Sequence, residues 1–277
     1  MGSTTAAPPA PSALGETLGR CGALGIEDFP TRFTVGAAEG EGWISRDDLL
    51  DPDMRVVPME LFGRVAQSRR TAVRGVWLLE AYVGAVAAPA ILTALTESRM
   101  PDVAADAVRV RFTDDGEPAE VRFRRPAMAV LPGDAAAGDP GVVLVRDRDA
   151  LWAWFRGRLI PHLEPVVEAL APVVRRSRRA LWRCVCDSLG GYLEWLGDGV
   201  GRGEAARCDE ALLLGVDPPL LGTRRREEVR WSGGTRVVAV RSGCCLSYRR
   251  EGRGGRGCFG CPRTTSEERV ARMEESG

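Results

Sequence analysis

Four cysteines stand within eighteen positions near the C-terminal end of the chain, as Cys244-Cys245, a twelve-residue spacer, and Cys258-x-x-Cys261. Four thiolates are what an iron–sulfur cluster of either common type requires, and the thiolate rather than the thiol is the ligand. Cys258 and Cys261 are spaced as in the short loop that brings two sulfurs to one metal, while adjacent side chains at 244 and 245 diverge on an extended backbone. Divergent neighbours suit two metal atoms bridged by sulfide better than one tetrahedral zinc, which takes its pairs from cysteines a few residues apart. A [2Fe-2S] cluster is therefore the first expectation, with structural zinc and disulfides as alternatives.

Size does not call for staples, because 277 residues bury an adequate core unaided. The segment "MGSTTAAPPAPSALGETLGR" lacks the basic and apolar regions of a secretory signal, and its Pro, Ala, Ser and Thr content reads as a disordered leader over residues 1–12. The expectation is a cytoplasmic, reducing location, where cysteines serve metals or redox chemistry before disulfides.

Missing residue types remove several chemistries. The chain has no lysine and no asparagine, so all 38 basic residues are arginines, and His162 is its one histidine. A P-loop, a pyridoxal Schiff base, a Rieske centre and a His-Glu-x-x-His zinc site cannot be built from this set. The 38 arginines balance 38 carboxylates, and a formal charge of zero gives no global pull toward nucleic acid. "GRGGRG", residues 252–257, matches G-x-G-x-x-G but follows no strand-to-helix crossover, and it lacks the length and aromatics of an RNA-binding repeat.

The fold class expected is α+β: a mainly helical body with a β-hairpin insertion and a small cysteine-rich C-terminal module. Residues 14–24 and 44–50 read as short helices, and from Met59 apolar residues keep helical spacing until Pro101. Within that run "GVWLLEAYVGAVAAPAILTAL" is long enough to suggest a membrane span, but Glu80, Pro89 and its many Ala and Gly favour a buried core helix. The period then switches. "VRVRFTDDGEPAEVRFRR" alternates Val108, Val110, Phe112, Val121 and Phe123 against Arg109, Arg111, Arg122 and Arg124, with Asp115-Gly116 as the turn. This predicts a hairpin with a four-arginine face able to cradle an anion, or simply to meet solvent. Helices return over 148–170, bent or restarted at Pro161, and over 177–196, and a second hairpin, "EVRWSGGTRVVAVR", leads into the cysteines. Domains are expected at 13–221 for the body and 222–277 for the module.

"CCLSYR" and "CFGCP" resemble the C-terminal signature of the FhuF-type ferric siderophore reductases, and "HLEPVVEAL" with "RALWRCVCDSLGGYLEWL" is similar to the helical body of that family, itself related to the C-terminal domains of siderophore synthetases. The spacer is longer here than in the family, and the glycines of "REGRGGRG" absorb the difference. The resemblance implies that Cys244, Cys245, Cys258 and Cys261 ligate a [2Fe-2S] cluster and that the body binds an iron(III)-siderophore, with His162 on the substrate side. No flavin or nicotinamide motif is visible, so an external donor such as a ferredoxin is expected to supply electrons, and the apolar stretch 75–95 leaves room for peripheral contact with a membrane siderophore importer. Two other functions fit the same residues: a non-catalytic zinc-stabilised binding module, and a siderophore-binding protein that reduces nothing.

Arg241, Arg249, Arg250, Arg253, Arg256 and Arg263 crowd the cysteines. Guanidinium groups beside an anionic cluster favour its reduced form and can steer an acidic donor, or they form an ordinary solvated face. Cys21, Cys184, Cys186 and Cys208 read as small buried hydrophobes.

Overall fold

A computed structural model describes residues 12–26, 31–222 and 224–276. All of the expected leader except Ser12 lies outside the described residues. Ser12 is the N-cap of the first helix, its hydroxyl accepting from the Gly15 N–H.

In chain order the elements are α1 (Ala13–Gly22), β1 (Arg32–Val35), β2 (Trp43–Ile44), α2 (Arg46–Leu50), α3 (Val56–Val65), α4 (Thr71–Glu97), β3 (Arg99–Pro101), β4 (Val108–Phe112), β5 (Pro118–Phe123), β6 (Met128–Val130) and β7 (Val142–Leu144). Then come α5 (Arg148–Val174), α6 (Arg178–Gly199), α7 (Gly203–Leu213), β8 (Arg225–Trp231), β9 (Gly234–Val240), a 3-10 turn at Ser247–Arg249, and α8 (Ser266–Ser276). The class is α+β, as the periodicities predict.

Helix α4 is the axis of the core. Its most apolar stretch is 89% buried inside the protein, so the length and hydropathy that resemble a membrane span are spent on packing against α3, α5 and α6. Small residues permit this. A Cβ on Gly84 would lie 2.2 Å from the ring of Tyr192, and one on Gly75 would lie 2.3 Å from Val174, so α5 and α6 approach α4 where side chains are missing. Ser98 ends the helix in the left-handed conformation, three residues before the predicted stop at Pro101.

Helix α5 runs unbroken through Pro161, where a bend or restart is expected from sequence. Pro161 and Gly157, whose carbonyl loses its donor, are both exposed, so water can take that bond.

The first hairpin pairs as predicted, Val108 with Phe123 and Val110 with Val121, but it is not a lone insertion. It forms the centre of a four-stranded sheet ordered β1-β5-β4-β2, with β1 parallel to β5, and a three-stranded sheet β3-β6-β7 stands apart from it. The four-arginine face is corrected too. Position 120 brings a carboxylate, 3% exposed, between the arginines: Glu120 binds Arg111 at 2.9 Å and Arg122 closely, and both guanidiniums lie over the Trp43 ring, 5.1 and 4.9 Å from its centre. Despite burial, Arg122, Thr34 and Arg111 hold the Glu120 carboxyl below the usual carboxylate range. Arg109 bonds the Ala105 and Val108 carbonyls, and Arg124 falls beyond β5 on an exposed turn. Two of the four guanidiniums thus share one carboxylate and are tied up within the face, and the four do not converge as a cradle.

His162 is likewise a core residue, fully buried between α4 and α5. Its Nδ1 lies 2.6 Å from the Val103 carbonyl and must donate, which leaves Nε2 to accept from the Tyr82 hydroxyl at 2.8 Å. With both nitrogens taken and no exposure, it does not reach a ligand. Burial lowers its pKa from 6.5 to about 4, so the unfolded chain binds that proton more tightly. Its contribution to stability is full above pH 6.5 and is lost as pH falls toward 4, by about 3 kcal/mol. Urea titrations at descending pH should show this loss, and His162→Gln should flatten the slope over that window.

Candidate metal centre

The β8–β9 hairpin and α8 enclose a small cluster of their own, Val229, Val238 and Met273, separate from the main core. From the end of β9 the chain crosses to the helical body, and one residue of α6 fixes the crossing. The buried Asp187 carboxylate accepts from the backbone N–H of Ser242 at 2.8 Å and of Gly243 at 2.7 Å. A Cβ on Gly243 would lie 3.0 Å from the backbone of Cys184, so glycine lets this segment lie directly on α6. Cys244 and Cys245 follow, and the Trp77 indole on α4 donates to the Cys245 carbonyl at 3.1 Å.

Arg241 holds the same junction electrostatically. Its guanidinium binds Glu80 closely and lies 3.6 Å from Asp187, while its backbone N–H donates to the Gly260 carbonyl at 2.8 Å, tying the two cysteine segments together. Burial alone would depress the Arg241 pKa, but Glu80, Cys245 and Asp187 outweigh it and raise the pKa. Burial also pushes Glu80 up to about 7 against the pull of Arg241.

Helix α8, not anticipated from sequence, secures the second segment. The buried Arg269 donates to the carbonyls of Cys261 at 3.0 Å and Thr264 at 2.8 Å, and Arg272 donates to those of Gly257 and Cys258 at 3.2 and 3.3 Å. The loop has no slack. A Cβ on Gly257 would lie 2.6 Å from the Cys261 sulfur, and one on Gly260 would lie 2.6 Å from the Ala239 carbonyl.

These contacts bring the four thiols into one neighbourhood. Cys245 and Cys258 Sγ are 3.5 Å apart, Cys244 feels the charge of Cys245 and Cys261, and Cys258 feels that of Cys261. The close pair thus spans the two segments, whereas the spacing predicts Cys258 with Cys261. The hydrogen bond from Cys258, assisted by Arg241, lowers the Cys245 pKa to about 6 against burial, and the same bond with burial raises Cys258. Among the described residues no three metal-binding side chains converge as on a single ion. The donors nevertheless fit an iron–sulfur cluster in kind and number, since such a cluster distributes four thiolates over more than one iron.

The remaining cysteines divide. Cys21, Cys184 and Cys186 are buried, and burial drives their thiols up, Cys21 to about 11 and Cys186 to about 12. Cys208 is exposed on α7, contrary to the expectation that it is buried.

Beside the thiols lies a cavity of about 530 Å³. Trp77 and Glu80 of α4, Tyr192 and Trp195 of α6, the β4–β5 turn at Gly116, and Arg250 and Arg253 of the spacer form its walls, together with Cys245 and Cys258. Arg250 stacks on Trp77, 4.7 Å from the ring centre. Neither His162 nor any of Arg109, Arg111, Arg122 and Arg124 lines it.

The helical body thus carries an aromatic cavity walled on one side by the Cys245 and Cys258 thiols. The sequence family described as "Ferric iron reductase FhuF-like transporter" matches residues 77–223, more than half of the 277, and the chain belongs to that family. The match covers the cavity walls on α4 and α6 but stops short of the thiols. No curated protein matches the chain. Among solved structures, aerobactin synthetase IucC from a hypervirulent pathotype of Klebsiella pneumoniae is 14% identical, with 65% of this chain and 32% of that one covered at a TM-score of 0.44. ATP-bound aerobactin synthetase IucA from the same pathotype is 16% identical over 66% of this chain and 42% of that one, with a TM-score of 0.45. The chain thus spans less than half the length of either synthetase.

Proposed function

We propose that this protein is a ferric siderophore reductase that works in the cytoplasm, with Cys244, Cys245, Cys258 and Cys261 holding a [2Fe-2S] cluster. One observation carries the reading: two of the four thiols, Cys245 and Cys258, form part of the wall of the aromatic cavity. When bound, such a cluster supplies electrons one at a time.

The residues of the chain do the rest. Trp77, Tyr192 and Trp195 offer flat apolar surface to a chelate, and Arg250 and Arg253 add positive charge beside the thiols. A volume of about 530 Å³ lies within the range of small-molecule sites. Siderophores grip iron(III) through hard oxygen donors, and one added electron weakens that grip, so the site needs no general acid or base to release the metal.

The test uses anaerobically purified protein. Iron and acid-labile sulfide in equal amounts, with iron(II) captured by a ferrous chelator after dithionite-reduced protein meets a ferric siderophore, are the expected results. Colourless protein carrying zinc would point to the binding-module alternative, and a coloured protein that binds the chelate without reducing it would overturn the reductase reading.

A further inference from the structure

The thiol segments border a second concavity, about 660 Å³, that shares no lining residue with the first. Cys244 stands in its wall, and so do Arg70, Arg175, Arg176, Arg249 and Arg263, with no carboxylate among the lining residues. Several arginines elsewhere are matched to acids, as in Arg148–Asp209, Arg224–Glu210 and Arg241–Glu80, and others stand singly on the surface, as Arg207 does on α7. Among the described residues none of these five forms an ion pair, so a chain of zero net charge concentrates unneutralised cation at one thiol.

The cations are also held in place. The Tyr248 ring carries Arg263 at 4.3 Å and Arg249 at 5.4 Å from its centre, and the Tyr248 hydroxyl accepts from Arg249 at 2.9 Å. Arg176 has a buried Nε with no hydrogen-bond partner, and its field reaches Cys244. A guanidinium whose buried N–H lacks a partner is poised for an incoming acceptor.

Building on the reductase reading, we propose that this concavity is the docking face for a small acidic one-electron carrier protein, so that electrons enter beside Cys244 while the chelate is met beside Cys245 and Cys258. In that exchange the carrier's reduced centre loses one electron and the thiol-held centre gains it; no bond forms or breaks and no proton moves. Two separate faces let the carrier and the bulky chelate be engaged together. A protein partner is favoured over nucleic acid because the cations surround a thiol in a recess and do not run along a surface, and because carboxylates match guanidinium forks.

The experiment titrates the full chain with an oxidised plant-type [2Fe-2S] ferredoxin, calorimetrically, at low and at high salt. Wild type should bind, more weakly as salt rises. Arg263→Glu on the thiol loop and Arg70→Glu on the separate α3–α4 connection should each raise Kd about tenfold, while Arg207→Glu on the exposed face of α7 should leave it unchanged. Equal loss in all three variants, no loss in the first two, or a patch that binds duplex DNA and not ferredoxin would overturn the proposal. Binding is read without turnover, so its failure is distinct from that of the reductase reading, which dithionite-driven iron(II) release tests by itself.

Discussion

Serine in place of any one of Cys244, Cys245, Cys258 or Cys261 is expected to bleach the protein, with visible absorption, labile sulfide and the paramagnetic signal after dithionite all falling close to zero. Cys184→Ser and Cys186→Ser are expected to leave all three unchanged. The contrast follows from where each sulfur stands. Cys245, with a pKa drawn down to about 6 by Cys258 and Arg241, is ready to act as a thiolate ligand. Cys184 and Cys186, 0% and 1% exposed within α6, are kept protonated by burial, and the Cys184 thiol is turned to the Cys244 carbonyl at 3.7 Å. A serine hydroxyl replaces a strong thiolate donor by a weak neutral one, so the effect should be near total. If Cys184→Ser bleached the protein while Cys261→Ser did not, the centre would have to be moved onto α6.

Asp187→Ala is expected to cost about 3–5 kcal/mol, the usual loss when one member of a buried charge pair is removed. Its carboxylate accepts two backbone N–H groups of the Ser242-Gly243 segment and faces Arg241, which would keep only Glu80. Asp187→Asn keeps one acceptor oxygen and should cost less, about 2 kcal/mol. Urea unfolding measures both. Hydrogen exchange should show the Ser242 and Gly243 amides losing protection in Asp187→Ala before α4 does, since α4 does not depend on this contact. Equal protection in variant and wild type would mean that other bonds hold the segment.

The helical body and both hairpins are legible in the sequence because each repeats its period over many residues. The register of Val108 with Phe123 needs no tertiary information, while the single helical run expected from Met59 to Pro101 is two helices, α3 and α4, parted at residues 66–70. Strands β1, β2, β3, β6 and β7 have two to four residues each, too few to display alternation, and they exist only because the sheets supply partners. Position 120 shows why the arginine face is misread: a single glutamate on β5 draws in Arg111 from the opposite strand and Arg122 from its own.

The thiol spacing announces a metal site, but the groups that hold it are distant in sequence. Asp187 lies 55 residues before the N–H it binds. A carboxylate set between buried Val185 and Leu189 on an apolar helix face is the one hint that sequence offers. Arg269 and Arg272 look like surface charges on a polar helix, and only the fold turns them onto the loop carbonyls.

Trp77 touches both halves of the site, its nitrogen bound to the Cys245 carbonyl and its ring exposed to the cavity beneath Arg250. An occupant that shifts the indole must therefore tug on the peptide that carries a sulfur. Filling the cavity and adjusting the sulfur loop become one lever, and the part of the emission that Trp77→Phe removes from the seven tryptophans is a natural gauge of its position.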